Sequence, residues 1–365
     1  METKIQYDPN APADASAGIF GLPYSYEQSQ LVFLPIPWEA TTSYGGGTVF
    51  GPEAILNASS QLDLYDLDVK EPHLCGLHAL PIPEEILRLN EISKSLAEPI
   101  KEALGDLMAN PDLVVNLDQV NSNSAELNRF VHESISKVIR DGKIPAIIGG
   151  DHSVPIGAFQ AAAEKYPAFG ILHFDAHSDT RNAYMGFTDS HASIMRNAAN
   201  RIPAITRFVQ VGIRDFCEDE VAFTRGQGNR FEVFYDQKIQ EEKMNGTPFS
   251  KIAQTLIANL PEHVWVSFDI DGLDPRFCPH TGTPVPGGLE YSEAVQILRL
   301  LAKSGRKIIG FDVVEVAPPL ADDGSPKPPV QASDEWDANV GMRLLYKLAA
   351  FSLASQGLAK WNHEA

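Results

Sequence analysis

A chain of 365 residues with 44% hydrophobic residues can fill the core of one large α/β domain. It contains no run of about 18 apolar residues, so no membrane partner is expected. Its formal charge of −19 speaks against nucleic acid, which binds basic faces; it favours a cationic substrate by steering, or simply keeps the protein soluble.

In chain order, residues 1–30 are rich in Pro, Ala, Ser and Asp and predict an N-terminal arm, disordered or packed on a neighbouring subunit. The N-terminus METKIQYDPNAPADASAG lacks the basic start and apolar stretch of a secretory signal. From residue 31 to 365 a single domain is expected. Leu31–Pro35 reads as a strand, followed by the turn Tyr44-Gly45-Gly46-Gly47 and a helix from Pro52. Buried strands are predicted at Ile144–Ile148 and Phe169–Phe174, with further strands at Phe208–Gly212, Val233–Tyr235, Val264–Phe268 and Lys307–Val313. Helical periodicity marks Ser124–Arg140, Ser153–Lys165, Ser250–Asn259, Ser292–Lys303 and Asp334–Leu353. The Pro-rich stretch 318–330 predicts a surface loop or lid. This alternation implies βαβ units in a three-layer α/β/α fold around a mainly parallel sheet. Three cysteines (Cys75, Cys217 and Cys278), odd in number and without C-x-x-C spacing, point to a reducing cytoplasm.

Four polar segments each follow an apolar strand: IIGGDHS (147–153), ILHFDAHSD (171–179), VSFDIDGLDP (266–275) and FDVVEVAP (311–318). In open parallel sheets the ligand crevice lies outside the carboxyl ends of the strands, so these loops are expected to meet. They would bring together Asp151, His152, Asp175, His177, Asp179, Asp269, Asp271 and Asp274. Five or more carboxylates cannot stay ionised in one cleft without cations. A carboxylate-rich set with a few imidazoles suits Mn²⁺ or a similar divalent ion rather than a thiolate zinc site. In D-x-H-x-D and D-x-D the ligands alternate, so an extended backbone points them to one side. The carboxylate surplus suggests two ions, with a water between them that ionises near neutral pH. Any one of these residues alone would be read as a cap or a satisfied polar group; the three clusters together are not. Asp151 and Asp312 read as groups that orient histidine ligands, and Asp274, before Pro275, as fixing a turn.

With GGDHS, DAHSD and SFDIDGLDP in this order, the chain resembles the ureohydrolase superfamily of arginases and agmatinases, from about Leu31 to Leu353. The resemblance implies hydrolysis of a guanidino compound to urea by two divalent metal ions. One ion would be held by His152, Asp175, Asp179 and Asp269, the other by His177, Asp175, Asp269 and Asp271, with Asp175 and Asp269 bridging. It implies that Glu315 grips the substrate guanidinium, that Asp271 helps to stabilise the intermediate, and that His191, in Ser190-His191-Ala192-Ser193, moves protons. It also implies a homo-oligomer, trimeric or hexameric.

The chain departs from arginases where their S-x-x-N-x-H-G stretch reads the amino-acid carboxylate: Phe187-Thr188-Asp189-Ser190-His191-Ala192 lacks the Asn and the Gly. Agmatinases usually carry Gly where Ala192 stands. The segments 38–44, 186–195 and 337–348 look more like the guanidine hydrolase branch, which implies Mn²⁺ or Ni²⁺ as the metal. Trp38, Tyr44, Tyr184, Phe187 and Trp336 are expected near the mouth, as aromatic walls for a small cation or as core and contact residues. The expected substrate is therefore guanidine or a short alkylguanidine. The alternatives are agmatine or another guanidino compound, such as a guanidino acid or arginine. A one-zinc deacetylase of related fold is disfavoured by the Asp269/Asp271 pair, and a silent structural subunit by the complete ligand set.

Overall fold

A computed structural model describes residues 7–14, 16–108, 110–329 and 332–362. Along the described chain run the strands β1 (Leu31–Pro35), β2 (Val69–Lys70), β3 (Leu77–Ala79), β4 (Ile144–Ile148), β5 (Phe169–Phe174), β6 (Ile205–Ile213), β7 (Phe231–Tyr235), β8 (His263–Asp269), β9 (Lys307–Val314) and β10 (Lys360–Trp361). The α-helices are α1 (Gly51–Ala58), α2 (Glu84–Glu102), α3 (Asp112–Arg140), α4 (Ile156–Lys165), α5 (Ile194–Arg201), α6 (Glu218–Gly226), α7 (Asp236–Met244), α8 (Phe249–Ala258), α9 (Tyr291–Lys303) and α10 (Trp336–Ser355).

Eight strands form one sheet in the order β3-β1-β4-β9-β8-β5-β6-β7, with every neighbouring pair parallel. β2 and β10 make a separate antiparallel pair. Strands β4 and β5 are buried at every position, because a parallel sheet carries helices on both faces. One face packs Leu298 of α9 and Leu345 and Phe351 of α10 against Phe33, Val266 and Phe311. The other packs Val131 and Ile135 of α3 and Phe159 of α4 against Ile147, Ile171 and Trp265. The three-layer α/β/α architecture is thus the observed one, with a wholly parallel main sheet.

The strand order has one consequence for function. β4, β9, β8 and β5, which precede the four polar segments, are consecutive in the sheet, so their carboxyl ends open onto one crevice. The segment preceding β1 is not wholly outside the domain: Ile19, Phe20 and Leu22 are buried in the core, and the Phe20 ring meets Phe33 and Tyr346 edge-on. Three bulky apolar residues so close together give up water by packing inward.

Phe311, fully buried in β9, has its ring edge-on to Phe33. Phe311→Ala should lower stability by about 3 to 5 kcal/mol, the usual cost of emptying an aromatic core site. A shift in the chemical-denaturation midpoint at unchanged slope checks it.

Candidate metal centre and active site

Each polar segment owes its position to the strand before it. After β4 the chain turns through Gly149-Gly150, and a Cβ on Gly150 would lie 1.9 Å from the Trp38 carbonyl oxygen, so only glycine lets the backbone pass. Asp151 and His152 follow. After β5 come Asp175, His177 and Asp179; Asp269 ends β8, Asp271 lies in the following turn, and Glu315 follows β9. All but His177 are buried.

The side chains converge on two foci. His152 Nδ1 lies 3.0 Å from Asp175 Oδ2, 3.1 Å from Asp179 Oδ2 and 3.3 Å from Asp269 Oδ2. His177 Nδ1 lies 3.0 Å from Asp271 Oδ2 and 3.4 Å from Asp175 Oδ1. Asp175 therefore turns one oxygen to each imidazole and stands between the foci. Ligand atoms of His152, His173, Asp175 and Asp179 lie within 4.8 Å of one another, and so do those of Asp175, His177 and Asp271. These groups could hold metal ions: carboxylates with a few imidazoles and no thiolate suit divalent first-row cations.

The charges say the same. Burial pushes Asp179 up to about 7, with the Asp175 charge adding, and raises Asp269 well above the carboxylate range, with Asp271 and Asp175 adding. Burial opposes ionisation of Asp175 too, but the histidines around it hold it well below its ordinary value. Against the same opposition, Asp271 and Asp175 push His177 up to about 12, and Asp175, Asp179 and Asp269 raise His152. Without ions, protons balance the cluster; a cation would take their place.

Behind His152 a chain of hydrogen bonds fixes the ring. Ser267 Oγ lies 2.9 Å from His152 Nε2 and donates to Asp312 Oδ1 at 2.9 Å, while Trp265 Nε1 donates to Asp312 Oδ2 at 2.7 Å. Asp312 thus orients His152 through Ser267, as expected of a supporting carboxylate. Asp151 instead accepts from the Ser153 amide and hydroxyl, at 2.9 and 2.5 Å. Asp274 accepts from the Arg276 amide at 3.0 Å and fixes the turn.

His191 is half-buried beside the cavity. Its Nε2 is 3.3 Å from Ser43 Oγ and its Nδ1 3.3 Å from Ser190 Oγ. Burial pushes the imidazole down to about 3, with the His177 and His152 charges adding, so it is neutral at physiological pH. Glu315 accepts the His152 amide at 2.9 Å, and burial, then the Asp151 charge, raise its carboxyl well above the usual range. A cavity of about 180 Å³ opens beside His191, lined by Ser43, His177, Asp179, Arg181, Tyr184, His191, Asp215, Glu220 and Thr283; Glu315 is not part of this lining.

Of the five aromatic residues expected near the mouth, Tyr184 alone lines this cavity. Trp38 and Phe187 are buried in the core, and Tyr44 and Trp336 are exposed, because ring size says nothing about direction. His173 was missed. It is buried in β5 with Nε2 2.8 Å from Asp175 Oδ2, and Gln210 Nε2 donates to its Nδ1 at 2.9 Å. The alternation His173, Asp175, His177 on one side of an extended chain was the available signal.

Ser267→Ala removes the bond that orients His152 and should weaken metal binding by about ten- to hundredfold, with the fold retained. His152→Asn should lower metal content further, and excess metal should partly restore it. Affinity should rise with pH from about 6 upward, as Asp179 and then the imidazoles give up their protons to the ion. Calorimetric titration of the metal-free protein checks all three.

The chain matches the Arginase family over residues 29–346. It is 34% identical to an N(1)-aminopropylagmatine ureohydrolase of Thermus thermophilus, covering 80% of this chain and 84% of that protein. It is 32% identical to a guanidinopropionase of Pseudomonas aeruginosa, covering 80% of each. The agmatine ureohydrolase structure of Thermoplasma volcanium superimposes with a TM-score of 0.65 at 22% identity, over 92% of this chain and 93% of that one, and shows the same fold. The chain belongs to the arginase family and is a ureohydrolase, an enzyme that hydrolyses guanidino compounds.

Proposed function

We propose that this ureohydrolase releases urea from guanidine or a short N-alkylguanidine and works with two divalent ions, Mn²⁺ or Ni²⁺. The observation that carries the small substrate is the cavity of about 180 Å³, well below the roughly 300–1,000 Å³ of sites built for larger ligands. One ion would be held by His152, Asp175, Asp179 and Asp269, the other by His177, Asp175, Asp269 and Asp271. When bound, the ions would supply Lewis acidity and bring the pKa of a water down to about 7.

The chain's own residues do the rest. Glu315, buried and lacking a cationic side-chain partner among the described ion pairs, would take the planar guanidinium as its counter-charge through two hydrogen bonds. Asp271, beside His177, would stabilise positive charge on the tetrahedral carbon's amino groups. Neutral His191 would accept a proton at Nε2 as water adds to the guanidinium carbon, then give it to the departing amine as the C–N bond breaks. The products are urea and ammonia or a short amine.

Arg181 favours a second reading. It lines the cavity, its Nε 3.9 Å from Glu220 Oε2 and its guanidinium 4.9 Å from the Tyr184 ring centre, where its remaining donors could pair with the carboxylate of a guanidino acid. For the wider setting, the free thiols of Cys75, Cys217 and Cys278 suit a reducing cytoplasm. The exposed Leu104, Met108 and Val115 at the α2–α3 end suit burial in a homo-oligomer, trimeric or hexameric.

Urea release should be measured on guanidine, methylguanidine, 3-guanidinopropionate, agmatine and arginine after separate loading with Mn²⁺ and Ni²⁺. Guanidine or methylguanidine should show the highest kcat/KM; a tenfold or larger lead for a longer substrate would overturn the small-substrate reading. Glu315→Gln should lower activity by about ten- to hundredfold at unchanged metal content.

A further inference from the structure

We propose that Glu39 is a positioning residue: its buried carboxylate pins the glycine-rich segment that follows Ser43 and so sets Ser43 against His191 in the cavity. The consequence for turnover rests on the reading of His191 as proton carrier.

Glu39 is fully buried in the segment after β1. A carboxylate there is tolerable only with its oxygens satisfied. Oε1 forms an ion pair with Lys94 of α2. Oε2 accepts the amides of Gly47 and Val49, at 2.6 and 3.1 Å, and the Thr48 hydroxyl at 3.4 Å. The Glu39 amide donates to Asn90 Oδ1 at 2.7 Å, so α2 holds the residue from two positions one turn apart. Gly47 has φ 115°, a backbone state that suits glycine, and its amide thereby points inward to the carboxylate.

The pinned segment carries one residue of the cavity lining, Ser43. Ser43 lines the cavity and lies 3.3 Å from His191 Nε2. The Gly45 amide donates to the Gly282 carbonyl at 3.3 Å, and the neighbouring Thr281 hydroxyl donates to the Glu315 carbonyl at 2.8 Å. One buried charge therefore braces both the His191 side and the Glu315 side. None of its bonds involves a proposed metal ligand, so the brace is separable from the metal centre.

The test uses Glu39→Gln, Lys94→Met and Ser43→Ala in the full chain. Lys94→Met removes the counter-charge from the more exposed side of the pair, and Ser43→Ala touches neither of its members, so a variant remains to be measured if Glu39→Gln proves unstable. Hydrogen exchange of the peptide spanning residues 42–50 should quicken by about tenfold or more in Glu39→Gln, where two amides lose a charged acceptor, and in Lys94→Met, where that acceptor loses the cation that holds it in place. Their kcat should fall by about tenfold, with KM and metal content near the parent's, and Ser43→Ala should cost about three- to tenfold. In the Glu39→Gln/Ser43→Ala double variant the losses should be less than multiplicative, because both act through one contact. Unchanged exchange in Glu39→Gln and Lys94→Met, or fully multiplicative losses, would overturn the proposal. A parent-like kcat for His191→Asn would instead overturn the proton-carrier reading, which exchange rates do not touch.

Discussion

Five carboxylates, Asp175, Asp179, Asp269, Asp271 and Glu315, are buried at one end of a parallel sheet. Among the described residues the ion pairs made by these groups are with histidines alone. Gathering so much negative charge away from water is costly unless cations share the space. That constraint shapes the rest of the molecule. It requires a rigid frame, which the four adjacent strands β4, β9, β8 and β5 supply, and it leaves two foci whose remaining need is positive charge. A divalent ion meets it from within the cleft, and a guanidinium meets it at Glu315. The catalytic reading therefore follows from charge balance as much as from kinship.

The frame is stiff enough to hold strain. Asp179 and Glu315 have φ of 55° and 62°, a region side-chain-bearing residues avoid at a cost of about 1–3 kcal/mol each. Neighbouring hydrogen bonds compel it. The Asp179 carbonyl accepts the amides of Met195 and Arg196 at 3.0 and 3.3 Å, tying the loop to α5. The Glu315 amide donates to the Gly150 carbonyl at 2.8 Å, and its own carbonyl accepts from Thr281. Strain of this kind at two proposed site residues fits pre-organisation, in which the fold and not the ligand bears the cost of arranging donors.

Much of this was legible in the sequence, and the physics says which parts. β4, β5, β8 and β9 are continuous apolar runs because both faces of a parallel sheet are covered, and such runs announce themselves. The polar residues straight after them had to share a crevice, so the clustering of His152, Asp175, His177, Asp179, Asp269 and Asp271 needed no structure to foresee. Helix α2 escaped notice because its inward stripe is mixed: Ile86, Ala97 and Ile100 share it with buried Asn90 and Ser93, and Pro99 interrupts the pattern. Those polar residues have partners far along the chain, Asn90 on the Glu39 amide and Ser93 on Asn123. Strand β3 has only three residues and β2 only two, too few to show a period. The supporting groups Ser267, Gln210 and Glu39 were illegible for the same reason as α2, since each matters through a contact between distant segments. The aromatic residues were legible as bulk but not as direction: Trp38 faces the core, and Tyr184 alone of the five lines the cavity.

The claim on which everything turns is that the carboxylate cluster exists to hold two cations. Anomalous diffraction from crystals of the protein loaded with Mn²⁺, collected on both sides of the manganese absorption edge, tests it without reference to any substrate. The account predicts two peaks about 3.5–4 Å apart, one beside His152 and one beside His177, with Asp175 between them. A single peak, or full urea-releasing activity in protein with no peak at the cluster, would contradict it.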